Sequence, residues 1–159
     1  MIAFLVDLFN ASGLSALTIE FTWGWPIAEI FHFFGLALLI GSIGILDLRM
    51  LGFADRLSGT AVNRLVPIGI LGFTFNFFSG ITFIGNDPVR FLYQGAFQLK
   101  MLFVLIGGLN ALAFYIWFYK DAKAMGPGDT APAAGKLIAA VSLVCWTSVI
   151  FVGRFMAFL

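Results

Sequence analysis

Glu29 and His32 stand three residues apart inside the apolar run from Trp25 to Leu46, and Gly35 follows one helical turn later. That spacing puts both side chains on one face of a helix, and a glycine on the same face leaves room beside the backbone for a flat group. His32 is the chain's single histidine. An ionisable side chain in a run long enough to cross a bilayer costs about 2.5 kcal/mol or more when it faces lipid, so it calls for a partner. One imidazole beside a glycine suits axial ligation of a b-type haem, whose propionates would sit near the membrane boundary about two turns away. Lys100 and Arg154 are the cations expected to pair with those carboxylates, and Trp146 either stacks on the ring or fills the bundle. With one histidine, the sixth iron position is open or filled by Lys100, Met101, Met156 or His32 of a second subunit across a two-fold axis. The same residues also support a reading without a cofactor, in which His32 bonds Glu29, Lys100 snorkels outward and Arg154 reaches the headgroups.

The elements that must hold these residues follow from composition. The chain has 159 residues, of which 61% are hydrophobic and 11% charged, against about 45–50% apolar and about 25% charged in soluble domains. It reads as an all-α integral membrane protein, a single domain over 1–159 folded as a four-helix bundle in a lipid bilayer. The spans are expected at about 26–46, 66–85, 96–119 and 136–159. Residues 1–22 form an N-terminal segment in which Ile2, Leu5, Val6 and Phe9 recur at helical spacing, as in a short interfacial helix. Asn76 and Asn110 lie deep in the second and third spans, where such side chains bond between helices. Asp47 and Arg49 are expected to pair at the end of the first helix.

Lys and Arg give the orientation. Arg49, Arg56, Arg64, Lys120, Lys123 and Lys136 flank the first and third connectors, whereas the second holds only Arg90 and the N-terminal region none. The positive-inside rule therefore places both termini on the periplasmic side of a bacterial inner membrane, with Glu29, His32, Lys100 and Arg154 toward the outer leaflet.

Several classes fall away. A formal charge of +1 offers nothing to nucleic acid. Cys145 stands alone, with no CxxC or CxxCH, which removes thiol redox chemistry, cysteine-zinc sites and covalent haem attachment. Met1–Ser12 has no basic n-region, so the first residue is expected to be mature. No Ser-His-Asp set, HExxH or P-loop is present, and a transport path lacks continuous polar lining below Asn76 and Asn110.

Trp25-Pro26, Glu29, His32, Gly35 to Leu39, Gly41-Ser42 and Asp47-Leu48-Arg49, followed by Phe97 to Met101 and then Ser142-Leu143, Trp146 and Gly153-Arg154, form a pattern. It resembles an uncharacterised family of small four-span bacterial inner-membrane proteins. More distantly it is similar to membrane proteins of the copper-resistance D type and to haem-binding bacterial protoporphyrinogen oxidases. This similarity implies a haem-ligand role for His32 and a propionate or substrate contact for Lys100. In the oxidases an arginine follows the histidine within the same helix by one to three turns, whereas Arg49 lies at the opposite end from His32.

Two functions are carried forward. One is a b-type haem membrane subunit that passes electrons between quinone or a periplasmic redox partner and another protein. The other is a structural or accessory subunit, as a homodimer or within a larger membrane complex, with no cofactor of its own.

Overall fold

The computed structural model describes residues 1–16 and 20–158, Ala157 by its backbone alone, so 17–19 of the expected N-terminal segment and 159 of the last span lie outside it. In chain order the helices are α1 Ile2–Ala11, α2 Gly24–Leu51, α3 Gly59–Asn63, α4 Val66–Asn86, α5 Pro88–Tyr93, α6 Gly95–Trp117, α7 Tyr119–Ala124 and α8 Ala133–Phe155. Four of them, α2, α4, α6 and α8, are long and apolar enough to cross a membrane. Their limits have local causes. Pro26 falls in the first turn of α2, where its missing N–H leaves no bond unmade, and Gly52 ends that helix in the left-handed region at φ +96°. Asp87 caps α5 by accepting from Arg90 N at 3.1 Å, with Pro88 opening the helix.

The main departure from expectation is at the end of α2. The helix continues five residues past Leu46, so Asp47 and Arg49 stand on helical turns rather than in a connector. They sit two residues apart and therefore leave the helix in different directions. They do not pair. Arg49, only 2% exposed, donates from Nε to Leu57 O at 2.6 Å, from Nη1 to Asp129 O at 3.0 Å and from Nη2 to Gly126 O at 2.7 Å. One guanidinium thus ties both connectors at this end of the molecule to α2. Gly59 N to Met125 O (2.7 Å) and Thr60 Oγ1 to Lys123 O (3.2 Å) complete the joint between α3 and α7.

Packing among the spans is uneven. α2 lies against α4 and α8, and α6 lies against α8, but α4 and α6 share no packed interface. The four helices therefore form a bundle in the order α4, α2, α8, α6, with a lateral cleft between its outer members. α2 and α4 meet through glycines: a Cβ at Gly72 would come within 2.6 Å of Gly35 O and Leu39 N. Leu39, Trp146 and Val149 make the central core, with Phe103 and Val104 packed on it. Outside, Phe33, Leu105, Ile116 and Val144 are among many large apolar side chains left exposed, as lipid contact requires. α1 packs on α5 and α4 and buries Val6.

Candidate functional site

His32 is held from one side by α4. Its Nδ1 lies 2.8 Å from Ser79 Oγ, and that hydroxyl lies 2.6 Å from Phe75 O. A serine hydroxyl has one proton, and Phe75 O can only accept it, so Ser79 Oγ must accept from Nδ1–H. The lone pair of the imidazole is then on Nε2. Phe83 packs against the ring at 5.4 Å between centroids, and Trp25 packs on Phe83 at 4.9 Å. The hydrogen-bond partner expected in Glu29 is instead Ser79, 47 residues away, which no local spacing announces.

His32 also lines a cavity of about 230 Å3 at the end of the bundle, together with Glu29, Arg90, Gln94, Gly153 and Met156. Gln94 Nε2 donates to Met156 O at 3.0 Å and so holds the C-terminal end of α8 over the cavity. Lys100 reaches the same wall from behind: its Nζ is 3.6 Å from where a Cβ on Gly153 would lie. Glu29, His32 and Lys100 are thus brought together.

The other three expected residues are not. Arg154 turns away, its guanidinium carbon 5.4 Å from the ring centroid of Phe158, and Arg90 from α5 takes its place. The room expected beside Gly35 is filled by Gly72, Phe75 and Asn76 of α4, whose atoms would lie 2.5–2.8 Å from a Cβ there. That glycine serves helix contact. Trp146 is buried near the middle of α8 and lines a different cavity.

No protein-family model, curated protein or solved structure matches the chain. Among the described residues no cluster of three or more His, Cys, Asp or Glu side chains could hold a bare metal ion. The cavity is lined by an imidazole, a thioether-bearing residue, a carboxylate and one guanidinium, with Lys100 behind its Gly153 wall.

The second cavity, about 350 Å3, lies in the cleft between α4 and α6, toward the Arg49 end. α2 and α8 form its floor with Ser42, Asp47, Ser142 and Trp146. Along the chain Asp47 stands two residues from Arg49 and reads as half of an interfacial pair, which hides this site. The available signal was that Asp47 is four residues beyond Ile43 and eight beyond Leu39, on the face of α2 that lines this cavity. Asn110 joins α6 to α8 by donating to Ile138 O at 3.0 Å, as expected of an interhelical amide. Asn76 instead donates to Gly72 O of its own helix at 3.0 Å.

The Ser79 contact makes a checkable statement about protonation. In the cofactor-free protein, 15N shifts of the one histidine should show an unprotonated Nε2 and a protonated Nδ1. Ser79→Ala should turn this into a mixture of tautomers and cost about 1 kcal/mol of stability. A wild-type spectrum with the proton on Nε2 would contradict the assignment.

Proposed function

We propose that the protein is a b-type haem-binding membrane subunit that passes electrons between quinone or a redox partner on one face and another protein. The observation that carries this reading is the bond from His32 Nδ1 to Ser79, which leaves Nε2 unbonded in a residue that lines the cavity. Metal-ligating imidazoles commonly have the other ring nitrogen fixed in this way. Met156 lines the same cavity and would offer a thioether to the group, while Arg90, with Lys100 behind Gly153, would supply positive charge for its propionates. When bound, haem supplies a one-electron carrier. The protein's own part is to orient the imidazole and neutralise the carboxylates.

The same reading places both termini on the periplasmic side of a bacterial inner membrane, because the basic residues cluster at the Arg49 end. It also includes the resemblance of the Glu29 to Arg49 segment to small four-span bacterial inner-membrane proteins. One observation favours the cofactor-free accessory subunit instead. The cavity of about 230 Å3 falls below the roughly 300–1,000 Å3 of pockets that enclose whole small molecules, so a porphyrin would be gripped along one edge only.

A reduced-minus-oxidised spectrum of protein purified from its native membranes separates the two. b-type bands are expected in the wild type and their loss in His32→Ala, with helical content unchanged by circular dichroism. A wild-type spectrum without such bands, or bands that survive in His32→Ala, overturns the haem reading and leaves the accessory role.

A further inference from the structure

The glycines of the spans stand in different surroundings. At Gly35 and Gly72 the nearest atoms would lie 2.5 and 2.6 Å from a Cβ, because two helices touch there. At Gly41, Gly44 and Gly80 a Cβ would meet nothing within 4 Å. Gly153 fits neither pattern. A Cβ there would make ordinary contacts of 3.6, 3.7 and 3.8 Å, all with one side chain: Nζ, Cε and Cδ of Lys100. Helix packing at this position would therefore admit alanine, and what the missing side chain leaves open is the approach to an ammonium.

Gly153 also lines the cavity of about 230 Å3 at the end of the bundle, with Glu29, His32 and Arg90. Lys100, half-buried on α6, is not itself among the lining residues. At this point the wall between the ammonium and the cavity is the backbone of one residue. The charge on Lys100 is in addition within electrostatic reach of His32, which lines the cavity from α2. A cation in a spanning helix is stabilised by an anion close to it, and the cations Arg90 and Lys100 against the one carboxylate of Glu29 leave a positive charge to be matched. The cavity is smaller than the roughly 300–1,000 Å3 of pockets that enclose whole small molecules, so it takes one end of a larger ligand. Phe33, Phe83 and Phe91 line it as well, and they suit an apolar, flat body behind an anionic end.

We propose that Gly153 is the specificity-determining residue of this cavity: by leaving Lys100 uncovered, it selects a ligand that enters with a carboxylate, such as the propionate edge of a porphyrin. The inference rests on the haem reading for its ligand, yet it requires neither iron nor an axial bond. A side chain at 153 would stand against the ammonium, and the larger it is, the less of that charge a carboxylate in the cavity would meet.

The test titrates the full chain in nanodiscs with iron-free protoporphyrin IX and with its dimethyl ester, which has the same ring and no carboxylate. Uptake above that of empty nanodiscs of the same lipid is read by porphyrin fluorescence. The diacid should bind saturably, one per chain, and the ester about tenfold more weakly, as expected for loss of a charge-assisted contact. Gly153→Val and Lys100→Met should bring the diacid down to the level of the ester while ester binding stays as in wild type, a pattern that general loosening of the bundle would not produce. Gly153→Ala, whose methyl fits at ordinary distances, should fall between. Equal binding of diacid and ester by the wild type, or no uptake of either above empty nanodiscs, overturns the proposal. So does an undiminished preference for the diacid in Gly153→Ala, which decides the matter even if Gly153→Val does not fold. b-type bands in a chain that binds diacid and ester alike defeat this inference alone, whereas a preference that depends on Gly153 in a chain without the bands defeats the haem reading alone.

Discussion

Arg49→Ala should lose about 3 kcal/mol or more of stability, the largest effect expected of any single substitution in this chain. The guanidinium is buried and gives one N–H to each of three carbonyls, Leu57, Gly126 and Asp129, which belong to the two connectors at this end. Hydrogen bonds from a charged donor contribute about 1.5–3 kcal/mol each, and truncation leaves three acceptors facing one hole. Lysine is no substitute. Its ammonium is a point donor on a flexible stem and cannot reproduce a planar fork that spans three directions, so Arg49→Lys should recover only part of the loss. The readout is the unfolding midpoint in detergent together with trypsin cleavage. Arg56 and Lys123 are exposed in elements that Arg49 holds down, and both should be cut faster in the variants. A midpoint and a digestion pattern equal to wild type would show that the connectors are held by other contacts.

Gly72→Val is expected to be next in severity. Its Cβ would lie 2.6 Å from Gly35 O and Leu39 N, and both are backbone atoms that cannot swing aside. The α2–α4 pair must separate, at a cost of about 1–3 kcal/mol for overpacking. Separation has a second consequence, because Ser79 belongs to α4 and His32 to α2. The 2.8 Å bond between them should lengthen or break, so a stability loss should come with the same histidine 15N changes as in Ser79→Ala. Gly41→Ala is the control. Nothing lies within 4 Å of a Cβ there, and alanine is the better helix former by up to about 1 kcal/mol, so that variant should be neutral or slightly more stable. If Gly72→Val and Gly41→Ala behave alike, the glycine contact does not hold the pair together.

These expectations differ in how far they could be read from the chain itself. Four long apolar stretches, separated by Gly, Pro and charged residues, determine four long helices, because a backbone in hydrocarbon has to satisfy its own hydrogen bonds. The three-residue step from Glu29 to His32 likewise determines that both side chains share a face, and both do line one cavity. Such features depend on helical periodicity, which is local.

Tertiary structure decided the partners. Ser79 rather than Glu29 bonds the imidazole, Arg90 rather than Arg154 lines the cavity, and Gly35 admits a neighbouring helix rather than a flat group. Asp47 and Arg49 look like an ion pair when read along the chain. Yet two residues on a helix are separated by about 200° around its axis, so one turned to the cleft and the other to the connectors. The cleft depends on which helices pack and which do not, and four similarly apolar spans carry little of that choice in their composition. Periodicity places a side chain on a face of its own helix; only the arrangement of the other helices determines what that face meets.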